Sequence, residues 1–345
     1  MKHAVITGPT GAIGMALIQE LVQQNIKVTA LVNPDSSRKN QILDDPLIAS
    51  KKDLVEVVEL GLDQFGEGSE GSEGSGDGEK CLNPRPHCLK ECPNCLQATF
   101  FHLAWAGTIG PNRNDAAIQQ KNVDFALDAV RFAHSLGCTH FIGVGSQAEY
   151  GRVEGKLSAD TPCNPENEYG KAKLKACQET KALCEELGMA HTWVRVLSVY
   201  GPYDGPRTMI SSIASQLLSG MSPDATKGEQ LWDYIYSKDA ARALRLIAEN
   251  VDKTDGKLYP IGSGKARPLK EYMEELRDAV VEKSGKDEAD VPVIAYGFIP
   301  YSENQVMHLE ADITELSHDT GFVPEYEFGE GIRLTLKAVG TGKSA

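Results

Sequence analysis

No run of this 345-residue chain approaches the ~18–20 consecutive apolar residues that a membrane-spanning helix needs, so no membrane span is expected. Positive charge is scarce. Lys and Arg number 35 against 49 Asp and Glu, for a formal net charge of −14. Nucleic acids and anionic lipid surfaces are bound through clustered cations, so neither is an expected partner, and any phosphate site must be built locally. An apolar leader is also missing: Met1-Lys2-His3 leads straight into Ala4-Val5-Ile6, read as a first strand, and a cytoplasmic location is the expectation. Of the eight cysteines, Cys138, Cys163, Cys177 and Cys184 are scattered through helix- or strand-like segments and read as reduced, structural thiols. What is present is ordinary globular material, 41% hydrophobic and 24% charged, enough for one large α/β unit or for a cofactor domain with a smaller substrate-binding part.

Strand-like and helix-like patterns alternate along the first two hundred residues. Ala4-Val5-Ile6-Thr7 is followed at once by Gly8-Pro-Thr-Gly11-Ala-Ile-Gly14, then by a helical stripe of Ile13, Leu17 and Leu21, then by a buried strand over Lys27 to Val32. Further strands are predicted at Leu54 to Leu60, Thr99 to Ala104, Phe141 to Val144 and Thr192 to Val199. Helices carry Val123, Leu127 and Val130, and then Tyr169 and Lys173. This order predicts a doubly wound parallel sheet of Rossmann type over residues 1–200. From about Gly201 the pattern loosens. A smaller, mainly substrate-binding lobe is expected over 201–340, with part of 230–260 returning to the first domain. Residues 64–97 interrupt the pattern as an insertion. Gly66 to Gly78 is acidic and apolar-free, the composition of a solvated loop, and a cysteine-rich piece follows it.

Two motifs carry chemistry. The spacing of Gly8, Gly11 and Gly14 lets backbone approach a pyrophosphate at a helix N-terminus, where amide donors and the helix dipole favour anions. Tyr169 and Lys173 stand four residues apart, on one face of a helix. A nearby cation lowers a phenol's pKa from its ordinary value near ~10, which suits a phenol to exchange protons with a carbinol or carbonyl oxygen. His102 ends a buried strand and reads as a structural histidine, and Asn122 as a structural hydrogen-bonder.

Together these residues resemble the extended short-chain dehydrogenase/reductases, in their NAD(P)-dependent nucleotide-sugar epimerase/dehydratase branch. Thr7 to Gly14 is similar to the glycine motif, His102-Leu-Ala-Trp105 to HxAA, and Asn122-Val123 to the helical asparagine. Gly145-Ser-Gln-Ala-Glu-Tyr-Gly151 is similar to the serine-bearing strand end, and Tyr169 to Lys173 to YxxxK. Arg195 to Pro202 and Trp232 to Asp239 are similar to the later signatures. The resemblance implies Ser146, Tyr169 and Lys173 as the catalytic set. Tyr169 would be the acid/base, and Lys173 would hold the nicotinamide ribose and depress the phenol. It implies dinucleotide contacts from Thr7, Gly8, Thr10, Gly11, Ala12, Ile13, Gly14, Asn33, Ser36, Arg38, Leu62, Leu103, Ala104, Trp105, Tyr169, Lys173, Leu197 and Val199. Substrate contacts would come from Ser146, Gln147, Ser198 and Trp232, and the assembly would be a homodimer.

Departures from the pattern narrow the expectation. The second strand ends Leu31-Val32-Asn33-Pro34 without an acidic residue, and Arg38 follows, which favours NADP over NAD, although Asp35 is close by. Gln147-Ala148 stands where 4,6-dehydratases carry Asp-Glu, which disfavours dehydration. Trp232 stands where epimerases place an arginine on the sugar diphosphate, and Ser198 replaces an asparagine. The expected activity is therefore reduction or epimerisation at a carbinol or keto carbon of a sugar, nucleotide-linked by the resemblance. The alternatives are a reductase of a non-nucleotide carbonyl compound and a non-catalytic dinucleotide-sensing protein. Cys81, Cys88, Cys92 and Cys95 include one Cys-Pro-Asn-Cys turn and form a candidate structural zinc site.

Overall fold

The computed structural model describes residues 1–65 and 98–339. The Gly66–Gly78 stretch and the cysteine-rich piece, with its candidate zinc ligands, lie outside the described residues.

Seven strands form the main sheet: β1 (His3–Thr7), β2 (Lys27–Val32), β3 (Val55–Glu59), β4 (Ala98–His102), β5 (His140–Ser146), β6 (Ala190–Val196) and β7 (Leu258–Ile261). Their order is β7-β6-β5-β4-β1-β2-β3, and every pairing is parallel. Alternate residues serve opposite faces, as the two-residue period of a strand requires. Ala4 and Ile6 point into the core beneath α1 (Ala12–Gln23), while Val5 joins Phe100, Phe141 and Val130 on the other side. That second layer is built from α2 (Ala116–Ser135) and α3 (Glu168–Glu186), which pack on each other. This is the Rossmann-type fold expected from the alternation of patterns.

The strand expected over Thr192 to Val199 is two strands. β6 ends at Val196, where Leu197 donates its N–H to the Ile261 carbonyl (3.0 Å), and Ser198–Tyr200 then pairs with Tyr234–Tyr236 instead of the main sheet. The chain thereby crosses into a second cluster. There α4 (Met209–Leu218), α6 (Leu269–Ser284) and α8 (Phe328–Val339) enclose Tyr200, Tyr236, Tyr272 and Phe328. Between these elements the chain returns to the sheet. Helix α5 (Ser237–Glu249) packs against α1, and β7 extends the sheet edge. The short helix α7 (Thr314–Thr320) lies against α5 and β7.

Chain order reverses across β1, with β2 on one side and β4 on the other. In open parallel sheets, ligands bind in the crevice outside the strand C-termini at such a switch point. Here that crevice is bounded by the Gly8 turn after β1 and by Leu103-Ala104 after β4.

Candidate active site

A cavity of about 400 Å³ opens at this switch point. Thr7, Gly8, Thr10, Asn33, Ser36, Arg38, Leu62, Ala104 and Trp105, all predicted cofactor contacts, line it, and Pro9, Asp35 and Ala106 join them. Gly8 lies at φ +66°, and a Cβ there would meet the Ala104 nitrogen at 2.7 Å. Gly14, inside α1, would press a Cβ within 2.7 Å of the Pro9 backbone. Both glycines are therefore required by the fold itself. Gly11 is different: it caps α1 in an extended conformation, and no heavy atom comes nearer than 3.9 Å to a Cβ built on it. Open space at a helix N-terminus beside a cavity fits a dinucleotide pyrophosphate. Gly11→Ala is accordingly expected to leave the melting temperature nearly unchanged while weakening dinucleotide binding by about 1–3 kcal/mol, the usual cost of an inserted methyl. Calorimetric titration beside a thermal melt checks it, and Gly14→Ala should show the opposite pattern.

Ala12 and Ile13 open α1 behind Gly11, and Leu103 leaves β4 with its N–H on the Thr7 hydroxyl (3.2 Å). Leu197 and Val199 do not line the cavity. Leu197 is buried with Tyr150 and Leu309, and Val199 packs against the main core. His102 holds the Thr7 hydroxyl through Nδ1 (3.0 Å), and burial followed by the Lys173 charge pushes its pKa down to about 3. It is a neutral tether. Asn122 fixes the loop after β4 by bonding both the N–H and the carbonyl of Ala106 at 2.9 Å.

Ser146 ends β5, while Tyr169 and Lys173 lie in the first turns of α3, whose N-terminus is capped by Asn167 (2.8 Å to the Gly170 N–H). All three are buried. Burial raises the Tyr169 pKa, while a hydrogen bond from the Ser146 side chain and the positive charge of Arg113 pull it down. The geometry departs here from the expectation that Lys173 depresses the phenol. The Lys173 ammonium donates to the Val144 carbonyl (2.6 Å), sits 3.7 Å over the Trp105 ring, and is 6.0 Å from the Tyr169 ring centre. Burial lowers its pKa, and the Glu149 carboxylate pulls it partly back up. Over the Tyr169 ring, at 4.2 Å, lies the guanidinium of Arg113.

Two groups at this site were not predicted. Arg113 comes from a short turn, Pro111–Asn114, in the loop after β4, where a single arginine among glycine, proline and asparagine gives no pattern to read. Glu149 follows Ser146 in a turn, wholly buried. Its Oε1 accepts from the Ser146 N–H (2.8 Å), and its Oε2 accepts from Arg195 Nε (2.7 Å). Trp193 Nε1 donates to the same carboxylate at 3.2 Å. Gln147 opens this turn, partly exposed. Ser198 and Trp232 meet: the indole N–H donates to the Ser198 hydroxyl at 2.7 Å, and the ring packs between two core clusters. Among the described residues, no group of acidic, histidine or cysteine side chains is arranged to hold a metal ion, and no helix is long and apolar enough to cross a membrane.

Comparison with known proteins bears on the family and the fold. The family described as the NAD dependent epimerase/dehydratase family matches residues 4–262. The chain is 22% identical over 216 residues to dTDP-glucose 4,6-dehydratase from Xanthomonas campestris, covering 62% of this chain and only 58% of that protein. It is 25% identical over 279 residues to dTDP-6-deoxy-L-talose 4-dehydrogenase (NAD(+)) from Aggregatibacter actinomycetemcomitans, covering 79% of this chain and 89% of the relative. Among solved structures, UDP-N-acetylglucosamine 4-epimerase from Methanobrevibacter ruminantium superposes with a TM-score of 0.77 at 22% identity, over 99% of both chains. At that identity the likeness speaks for the fold.

Proposed function

The chain belongs to the NAD dependent epimerase/dehydratase family, and from that premise we propose that it transfers hydride at a carbinol or keto carbon of a nucleotide-linked sugar. The observation that carries this reading is the burial of the Tyr169 phenol beside Ser146, its ring edge-on at 6.3 Å to Trp105, which lines the cavity at the switch point. A bound nicotinamide would supply or take the hydride. Tyr169 delivers a proton to the substrate oxygen in reduction and removes it in oxidation. Ser146 donates a hydrogen bond to the same oxygen, Lys173 holds the cofactor ribose, and the Gly11 turn receives the pyrophosphate. Gln147 also faces the substrate in this reading.

Reduction and epimerisation fit the site better than dehydration. Eliminating water requires an additional acid and base, and the turn after Ser146 offers Gln147, a buried Ala148 and Glu149. That last carboxylate is turned inward onto Arg195 and Trp193. The test is direct: purified protein with reduced nicotinamide dinucleotide and a dTDP- or UDP-linked 4-keto sugar should consume the dinucleotide. The matching 4-hydroxy sugar, with oxidised dinucleotide bound, should epimerise if the hydride returns to the other face. Absence of both reactions would remove the reading.

One observation favours a second reading, a non-nucleotide carbonyl substrate. Trp232 and Ser198 satisfy each other where family members bind a diphosphate and sugar. Inhibition by free dTDP or UDP would favour the first reading, and indifference to both the second. Arg38 on the cavity rim supports NADP, and Asp35 beside it tempers that preference. Arg38→Ala is expected to weaken NADPH binding by about 1.5–3 kcal/mol, the scale of a hydrogen bond to a charged group, and to spare NADH. Equal losses would return the preference to NAD. A homodimer is part of the same reading, and light scattering of the eluted protein tests it.

A further inference from the structure

We propose that Arg113 is a specificity residue that binds an anionic group of the substrate, a carboxylate or phosphate carried within a few bonds of the reacting carbon. The proposal rests on Tyr169 serving the substrate oxygen, as in the reading above. The Arg113 guanidinium lies 4.2 Å from the centre of the Tyr169 ring. A substrate whose oxygen is bonded to that phenol therefore brings its neighbouring substituents within reach of the guanidinium. One hydrogen bond among the described residues holds the side chain, from Nη1 to the Thr108 carbonyl (2.8 Å). Its Nε and Nη2 donors, the edge that grips two oxygens of one anion at once, are left open.

What carries the proposal is a missing counter-charge. The chain holds 49 acidic side chains against 35 basic ones, so carboxylates are plentiful. Arg195, Arg242, Arg245, Arg267 and Arg277, all buried or half-buried, each have one within 3.3 Å. Among the described residues, two arginines withdrawn from full exposure have none: Arg38, which lines the dinucleotide cavity, and Arg113. The loop around Arg113 offers one acid, Asp115, and that carboxylate caps α2 through the Ala117 and Ile118 N–H groups. Glu149, the nearest buried carboxylate of the site, is turned onto Arg195 and the Ser146 N–H. Partial burial lowers the Arg113 pKa, and the Tyr169 phenol pulls it partly back up. Arg113 has thus given up water without gaining an anion, and it has done so beside the phenol.

Matched pairs of ligands test it, titrated calorimetrically into protein loaded with reduced nicotinamide dinucleotide, which cannot oxidise them. UDP-glucuronic acid differs from UDP-glucose by a carboxylate on the carbon next to the C4 carbinol. Glucose 6-phosphate differs from glucose by a phosphate on the same arm of the sugar. The anionic member of one pair is expected to bind about 10–100-fold more tightly than its neutral partner, the scale of a charge-assisted hydrogen bond. A preference in the first pair assigns a carboxylate, and one in the second a phosphate. Arg113→Gln should abolish the preference and leave the affinity for the neutral ligand in place, and Arg113→Lys should restore part of it. Tyr169→Phe should keep it, because the charge is read by the guanidinium. Equal affinities within both pairs, no measurable binding, or a preference that survives Arg113→Gln overturns the proposal. Loss of the preference in Tyr169→Phe would make the phenol the reader and overturn it as well. Turnover with oxidised dinucleotide judges the proposed function separately. A preference that depends on Arg113 without any hydride transfer supports the charge site and counts against that function.

Discussion

Tyr169→Phe is expected to reduce turnover about 10²–10⁴-fold, the usual range for a lost general acid/base, while dinucleotide affinity stays near its original value. The substitution removes one oxygen and keeps the ring. Contacts that place the ring, the Trp105 edge and the Arg113 guanidinium, persist in a phenylalanine. What is lost is the hydroxyl proposed to move a proton at the substrate oxygen. A single hydrogen bond is worth about 0.5–1.5 kcal/mol of stability, so the protein should remain folded and loaded. The measurement pairs steady-state turnover on the true substrate with calorimetric dinucleotide binding. Near-normal turnover would refute the assignment of Tyr169. A parallel collapse of dinucleotide binding would mean that the phenol holds the cofactor more than it serves the chemistry.

The effect is expected to be large because the site spends its burial on this residue. A phenol taken out of water resists ionisation, so burial alone would make Tyr169 a poor proton donor. Ser146 and Arg113 counter that resistance, each from a different part of the chain. Along the chain, the Tyr169–Lys173 pair is marked only by helical spacing. Spacing places two residues on one face, but it does not say where a long side chain ends. Lys173 ends on the Val144 carbonyl, 29 positions away in sequence.

The same limit separates what was legible in the chain from what was not. Six of the seven strands were legible because each is a short apolar run between helical stripes, and the order of strand, glycine turn and helix implied the parallel topology; the edge strand Leu258–Ile261 was not, since it follows the looser pattern after Gly201 and pairs with β6, more than sixty positions earlier. The glycine turn was legible as a motif, but its spacing alone could not tell Gly8 and Gly14, which the fold needs, from Gly11, which has open space beside it. The division of the strand expected over Thr192 to Val199 was hidden because both halves are apolar; their partners, β5 with β7 and then Tyr234–Tyr236, are distant in sequence. Trp232 was expected, from the resemblance, among the substrate contacts. Its bond to Ser198, 34 positions away, shows how such a residue is fixed by a partner that no local pattern announces.

Glu149 is the strongest instance, and replacing it should have the second large effect. Glu149→Gln preserves shape and an acceptor for the Ser146 N–H, yet leaves the Arg195 guanidinium buried without its counter-charge. Breaking one side of a buried ion pair costs about 3–5 kcal/mol, because the remaining charge has lost its water and gained nothing in return. For a chain of this size that corresponds to a melting temperature lower by roughly 4–7 °C. Arg195→Met should cost a similar amount, while the double variant Glu149→Gln, Arg195→Met should recover much of it, since no unpaired charge remains. Simple additivity of the two losses would show that the pair is not coupled. A second readout separates this role from packing alone. Lys173 loses its charge as pH rises through its folded pKa, which burial lowers and Glu149 partly restores. Without the Glu149 charge that pKa falls further, so dinucleotide affinity that depends on the Lys173 ammonium should decline at a lower pH in Glu149→Gln. An affinity profile that only scales down, with no displacement along the pH axis, would leave Glu149 as a prop for Arg195 and Ser146 and remove its influence on Lys173.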